Sequence, residues 1–384
     1  MPYQSDSQEV SCAGRLIIDL TALQKNWRQL NERTGNGCEC AAVVKANAYG
    51  LGAEEAVKAL YASGARTFFV ATPEEGRLVR AAAPQGTIYV LGGAYSDRGH
   101  FYAESSLRPV LGHPDEIAEW AQFCESQGTP LPAAVHVDTG MNRLGLTHAE
   151  ARDLSRDEET LSKFKLCLVV SHLSCGDDAT HPKNQAQLEA FRSAADLFPG
   201  IPRSLSNSSG IFLGEDYHFE LARPGIALYG GNPIPTRHNP MACVARVEAE
   251  VIHLRHVPPG ETVGYGAART TKRPTRIATV NVGYADGMHR LIGSTDGQDG
   301  SYASVNGARV PLFGRVSMDM IALDVTDLPA NMVQRGTWVE LMGPTISVDE
   351  VAESAHTISY ELLTGLGARY KRTYIGSVQD EEDT

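Results

Sequence analysis

The chain has no surplus of positive charge: 34 Lys and Arg stand against 46 Asp and Glu, leaving −12 with the histidines neutral. That excludes a broad basic face for nucleic acid or for an anionic membrane surface as its working principle. No apolar run approaches the ~20 residues a membrane span needs, and residues 1–14 lack both the basic and the apolar stretch of a secretory signal. The cysteines number seven, and no pair has zinc-site or C-x-x-C spacing. They read as reduced thiols of a cytoplasmic protein that holds no metal. No Gly-rich dinucleotide fingerprint follows the first strand-like run, and no Walker-type loop is present, so two common nucleotide sites are absent. Internal repeats are lacking too, and the one biased segment is the acidic end at 379–384.

What is present is a core-forming composition, 42% hydrophobic and 21% charged over 384 residues, enough for two domains. Leu16-Ile17-Ile18 reads as a strand, and Asp19 or Thr21 can cap a helix running to about Glu32. Short apolar runs then recur at 41–45, 67–71, 88–92, 108–111, 133–137, 166–171, 203–206 and 221–228. Helical patterns separate most of them, at 53–63, 73–83, 114–127, 148–157 and 184–197. The runs are continuously apolar, as parallel strands covered on their outer face must be. Eight such strands predict an α/β protein whose N-terminal part, residues 1–240, closes into a (β/α)8 TIM-like barrel. The rival, a doubly wound open sheet, lacks its glycine fingerprint.

Near 231 the texture changes. Asn232-Pro233-Ile234-Pro235 and Asn239-Pro240 compose a linker, and beyond it strand and turn signals dominate. Val244–Val257 alternates loosely, Pro259-Gly260 marks a turn, and Asn306-Gly307 joins two strands as a hairpin. Trp338–Met342 is a further strand, and Ser347 with Glu350 opens one helix running to Leu366. Residues 241–384 therefore form a mostly-β domain, with the strand at about 15–19 open to joining it.

Polar residues collect where barrel chemistry sits, at the carboxyl ends of the strands. Lys45 ends the first run; Asp138-Thr139-Gly140-Met141-Asn142-Arg143 follows the fifth; Ser171-His172 closes the sixth. Asn207-Ser208-Ser209-Gly210 follows the seventh, and Arg223-Pro224-Gly225-Ile226 lies in the eighth. A lysine at the mouth of a buried strand is partly desolvated, loses its proton more readily and can form a Schiff base. The Ser/Asn/Gly loop and Gly225 can cradle a phosphate with hydroxyl and backbone N–H groups. A Schiff-base lysine beside a phosphate cradle points to pyridoxal 5'-phosphate (PLP). Taken singly, the loop is a helix cap and Arg223 a surface ion pair.

Six motifs carry a resemblance that spans Leu16 to Tyr374: VVKANAYGLG at 43–52, RPGIALYG at 223–230, VGYGA at 263–267, GYADG at 283–287, GRVSMD at 314–319 and ISYELLT at 358–364. The chain resembles the alanine racemases, fold-type III PLP enzymes. The resemblance implies that Lys45 holds PLP and serves as the base on one face of Cα, and that Tyr265 is the base on the other. Lys45 would then take the α-proton of the D-enantiomer and Tyr265 that of the L-enantiomer. Racemisation needs a proton removed on one face and another delivered on the opposite face, so two groups are required. A phenol with a pKa of about 10 working near neutral pH must close a gap of roughly 4 kcal/mol. His172 and Arg223, matching family residues near that tyrosine, are the cationic neighbours at hand.

The same resemblance implies that Tyr265 enters the barrel mouth of a second subunit, so that an obligate homodimer shares its sites. It places Arg223 at the pyridine nitrogen, and Tyr49, Ser208, the backbone of Gly225 and Ile226, and Tyr360 on the phosphate. Arg143 is implied near the PLP phenolic oxygen and the substrate carboxylate, which the Met318 N–H also meets. Asp319 and Tyr284 are implied to line the access corridor. The activity implied is L-alanine/D-alanine interconversion, which would supply D-alanine for peptidoglycan. Two positions depart from the pattern. His136 stands where some members carry a carbamylated lysine, which leaves Arg143 to be positioned by other means such as a bound anion. Ser204 stands where some carry a histidine beside the nitrogen-facing arginine. The alternatives are a racemase for another amino acid such as serine, a fold-type III decarboxylase, whose acidic nitrogen partner Arg223 opposes, and a PLP-binding protein of the barrel alone, which has no use for a β domain.

Overall fold

The apolar runs do become parallel strands that close on themselves. The computed structural model describes residues 14–95 and 97–376. Seven strands lie side by side in chain order: Ala42–Val43, Thr67–Val70, Thr87–Val90, Arg108–Leu111, Pro132–His136, Lys165–Val170 and Arg203–Ser204. The eighth, Leu221–Ala222, pairs in parallel with Glu39–Cys40, the start of the first run. Its neighbours bond back to the seventh, Glu220 N–H to Arg203 C=O at 3.2 Å and Arg223 N–H to Ser206 C=O at 2.8 Å. The result is a (β/α)8 barrel. Thr67–Val70 is buried at all four positions, as expected where helices cover one face and the barrel lumen the other. Phe68 and Phe69 within it are fully buried, each contributing roughly 1.5–3 kcal/mol of hydrophobic stabilisation.

Helices on the outside start where the sequence provides a cap. Pro73–Ala82 begins with Thr72 and Glu75 in a capping box, and His148–Arg156 with Thr147 and Glu150. Pro73, Pro114 and Pro182 occupy first-turn positions, where no N–H is needed. Two strands are shorter than the apolar pattern predicts. The first stops at Val43, because the chain turns sharply at Ala46. The eighth stops at Ala222, because Pro224 cannot donate to a ladder, and Ile226–Tyr229 forms a 3-10 turn instead.

The chain divides into two compact units: Leu20–Ala242 forms the barrel, and Gly14–Asp19 groups with Cys243–Ile375. The second unit is built on the 13-residue strand Ala245–Val257. Its first half pairs with Gly14–Asp19 and Trp338–Met342, and its second half with Thr275–Val280, a ladder that a bulge interrupts between Val251 and His253. Gly14–Asp19 also pairs in parallel with Lys371–Ile375. Asn306 and Gly307 take the two positive φ values (50° and 85°) that a tight hairpin turn requires. The single helix predicted to reach Leu366 is two, Val348–Ser354 and Ser359–Thr364, broken where His356 adopts φ 54°. A short hairpin, Thr262–Val263 with Arg269–Thr270, carries Tyr265 in its connection.

No described helix is long and apolar enough to cross a membrane, and the six described cysteines are free. The segment 1–13 with Cys12, and the acidic end at 379–384, lie outside the described residues.

One buried side chain links the first helix to the end of the barrel unit. Asn26 in Leu20–Thr34 donates to the carbonyls of Leu228 (3.1 Å) and Ala242 (3.0 Å) and accepts the Ala242 N–H at 2.8 Å. Replacing it with alanine leaves those buried groups unmet, at a cost of about 2–3 kcal/mol. Asn26→Ala is expected to lower the urea midpoint of the barrel with an unchanged m-value.

Candidate active site

At the carboxyl end of the first strand the backbone does something rare. Ala46, Asn47, Ala48 and Tyr49 all adopt φ between 52° and 56°, one turn of left-handed helix closed by Ala48 N–H to Val44 C=O (2.9 Å) and Gly50 N–H to Ala46 C=O (2.7 Å). Such a conformation costs roughly 1–2 kcal/mol per L-residue, and strain of this kind persists where the surroundings over-determine it. Gly50 (φ 82°) and Gly52 (φ 106°) lead out of it. Lys45 stands at its head, half-buried. Burial first, and then the charge of Arg143, bring its amine below the ordinary lysine range, while Glu75 opposes them. The lysine predicted to be partly desolvated is so.

Arg223 lies one residue past the eighth strand and is buried, so it is not a surface ion pair. It donates to the Ser204 hydroxyl and to the Ser171 carbonyl. No carboxylate pairs with it among the described residues. Burial brings its pKa down to about 10, so it remains a cation near neutral pH. A buried guanidinium without a counter-ion is costly, and its surroundings register the charge. His172 is pushed down to about 3 by burial, Arg223, Arg143 and Lys45; His136 goes down to about 4 by burial and Arg223, with Asp138 opposing. Both imidazoles are therefore neutral. Ser204 accepts a hydrogen bond from Arg223 and donates its own to the Leu221 carbonyl.

Beside Arg223 a small cradle forms. Ser208 Oγ accepts the N–H groups of Gly225 (2.8 Å) and Ala227 (3.2 Å). The intervening Ile226 N–H has no acceptor among the described residues. A Cβ on Gly225 would stand 2.1 Å from the Tyr49 hydroxyl, so glycine is what lets that hydroxyl approach the backbone. The Tyr49 ring stacks on Tyr229 at 4.6 Å, and the Tyr229 hydroxyl donates to Val43 C=O at 2.9 Å. Asn207, rather than Ser208, caps the short helix that follows, accepting the Gly210 N–H at 2.9 Å.

Residues 18–233 match the alanine racemase N-terminal domain and residues 244–374 the alanine racemase C-terminal domain. The chain belongs to the alanine racemase family. It is 47% identical over 373 residues to an alanine racemase of Rhizobium meliloti, covering 96% of this chain and 98% of that one. With a biosynthetic alanine racemase of Agrobacterium fabrum the identity is 47% over 367 residues, covering 94% and 93%. Among solved structures, the alanine racemase of Bartonella henselae, with covalently bound pyridoxal phosphate, is similar at a TM-score of 0.89 and 41% identity, covering 95% of this chain and all of that one.

Alanine racemases are PLP enzymes, and the barrel rim has the donor set for that cofactor. A desolvated amine, a cation that keeps its protons, and a hydroxyl-and-amide cradle narrowed by a glycine suit an aldehyde, a pyridine nitrogen and a phosphate respectively.

The remaining predicted residues belong to the β unit of this racemase. Tyr265 is 70% exposed, held between Gly264 (φ 82°) and Gly266 (φ 70°). Met318 is also exposed, and its N–H has no acceptor among the described residues. Its loop is tied to the GYADG loop by Tyr284 N–H to Ser317 C=O and Ala285 N–H to Met318 C=O, both 3.0 Å. Tyr360 projects half-exposed from Ser359–Thr364. Arg369 bridges Asp319 at 2.7 Å to the buried Asp286.

Asp138, read from the sequence only as part of the rim loop, and Gln187, not read from it at all, both shape the rim. Asp138 spends its carboxylate on the N–H groups of Gly140, Met141 and Asn142 at 2.9–3.1 Å. It thereby sets the loop that presents Arg143, which itself has no carboxylate partner among the described residues. The D-T-G spacing is a signal for such a turn. Gln187 reaches the His172 carbonyl (2.9 Å) and Thr139 (3.2 Å) from a neighbouring helix, and nothing local in the sequence announces it.

The two depressed imidazoles make stability depend on pH. An unfolded histidine titrates near 6.5, so below that value the unfolded chain binds more protons than the folded one. The histidine contribution is fully present above about pH 6.5 and is lost as pH falls toward 4 and then 3, by up to about 1.4 kcal/mol per pH unit for each imidazole. His136→Asn is expected to flatten this acid-side loss by about one proton in urea titrations between roughly pH 7 and 5; parallel curves would show that His136 titrates normally.

Proposed function

We propose that this chain interconverts L-alanine and D-alanine with PLP, using Lys45 and Tyr265 as the two proton-transferring groups on opposite faces of Cα. The observation that carries the reading is the pairing on one rim of a desolvated lysine with a buried arginine that has no carboxylate beside it. When bound, PLP supplies an electrophilic aldehyde and an electron-withdrawing ring that acidifies the Cα–H bond of an amino acid joined to it. Arg223, always charged, leaves a facing ring nitrogen unprotonated and so moderates that withdrawal. An acidic residue there would favour decarboxylase chemistry; Arg223 opposes it.

The chain's own residues divide the remaining tasks. Lys45, whose proton affinity burial and Arg143 lower, is proposed to be one of the two proton-transferring groups. Arg143 is proposed to hold the substrate carboxylate with the Met318 N–H. Tyr49, Ser208, Gly225, Ile226 and Tyr360 are proposed to hold the phosphate, and Arg223 with His172 to line the ring. Tyr265 and Met318, both well exposed in this chain, are proposed to complete the site of a second copy, making a homodimer with shared sites. An exposed tyrosine in a glycine-flanked connection suits a group that works on a partner better than one that packs a core. The biosynthetic relative in Agrobacterium fabrum supports D-alanine supply for peptidoglycan as the role, and the free thiols support a reducing, cytoplasmic setting.

The deciding experiment follows L-alanine with PLP-loaded protein in D2O. Loss of optical activity together with deuterium at Cα and no CO2 is expected. Exchange without inversion would mean that Tyr265 is not the second base, and CO2 release would mean a decarboxylase. Lys45→Ala is expected to lose the visible absorbance of covalently held PLP. Tyr265→Phe is expected to keep that absorbance while racemisation falls by about 10²-fold or more; wild-type turnover in this variant would remove Tyr265 from the reaction.

A further inference from the structure

The left-handed turn behind Lys45 needs something outside itself to hold it. Its internal hydrogen bonds start from Ala48, Gly50, Leu51 and Gly52, which leaves the N–H of Ala46, the amide directly after the lysine, without a partner in the turn. Glu75 provides one. Its Oε1 accepts the Ala46 N–H at 2.7 Å, and its Oε2 accepts the Ala71 N–H at 2.8 Å, just past the neighbouring strand Thr67–Val70. Oε2 also takes the weaker Thr72 N–H at 3.4 Å as half of the capping box. One carboxylate thus spans two adjacent barrel segments at the rim. It is itself fixed by the helix Pro73–Ala82, whose proline first turn and Thr72 cap set where the third residue points.

We propose that Glu75 is the positioning residue for Lys45: by binding the Ala46 and Ala71 N–H groups on its two oxygens, it pins the left-handed turn and fixes where the amine stands. Arg143 and His172 also face that amine from the loops after the fifth and sixth strands, while Glu75 is the group bonded to the turn's backbone. Small misplacements of a reacting group are costly in rate, so a strained turn that relaxes would lower turnover more than substrate binding. The proposal rests on Lys45 being the reactive amine.

The test uses PLP-loaded protein with two variants. Glu75→Gln keeps the size and the fold of the helix start, yet can accept only one of the two N–H groups. Thr72→Val removes the other half of the capping box and leaves the Ala46 bond in place. Glu75→Gln is expected to raise amide hydrogen exchange across 46–50 about tenfold or more, and to lower kcat about tenfold with KM for alanine changed less than about twofold. Thr72→Val is expected to loosen 73–76 while leaving 46–50 and kcat as in the wild type. The proposal is overturned if Glu75→Gln leaves exchange across 46–50 unchanged, or if Thr72→Val reproduces both losses, since Glu75 would then be a helix cap and no more. Exchange reports on the backbone whether or not Lys45 carries the cofactor. A failed Lys45 assignment shows instead as absorbance retained in Lys45→Ala, so the two failures are distinct.

Discussion

A buried guanidinium with no carboxylate beside it governs the chemistry of this barrel. Arg223 cannot shed its proton, and water has been replaced around it by two serine-derived oxygens, the Ser204 hydroxyl and the Ser171 carbonyl. Its field and the shared burial drive His172 and His136 neutral, and Arg143 adds a further positive charge that lowers Lys45. Two arginines and two neutral imidazoles on one rim disfavour a further proton, which is the direction in which Lys45 is shifted.

The backbone meets this electrostatic demand with strain. Four successive residues in the left-handed region are costly, more for alanine and tyrosine than for asparagine, and no other run of four occurs among the described residues. The turn brings the Tyr49 hydroxyl against Gly225 while it ends the first strand two residues before Lys45. One local distortion therefore shapes the surroundings of the amine and of the Ser208–Gly225 cradle at once. Bonds from outside the turn, chiefly those of Glu75, offset its cost.

The β unit shows a different economy. Its sheet is organised on one long strand that serves two ladders, and the loops carrying Tyr265, Tyr284 and Met318 stay exposed. Large apolar and aromatic groups left in water on connected loops are what an interaction surface looks like. Within that unit Arg369 gathers Asp286 and Asp319, which fixes the two loops against each other without burying either tyrosine.

The sequence by itself determined the barrel rhythm, because continuously apolar runs at regular spacing bury on both faces only in a parallel sheet. Lys45, Arg143, His172 and Arg223 were legible together at strand ends for the same reason: charged residues at the mouths of buried strands have no place in a core. The hairpin at Asn306-Gly307 was legible because a tight turn demands positive φ at both positions. Tertiary structure alone decided the rest. The left-handed turn could not be read from Ala46-Asn47-Ala48-Tyr49, since only Asn47 visits that region readily, and it takes Glu75 from another helix and Gly225 from the eighth segment to make it tolerable. Likewise the break at His356 defeats an apolar pattern that continues through it. Whether Arg223 was a surface ion pair or a buried, unpaired cation turned on burial, and burial is a property of the closed barrel rather than of any stretch of chain.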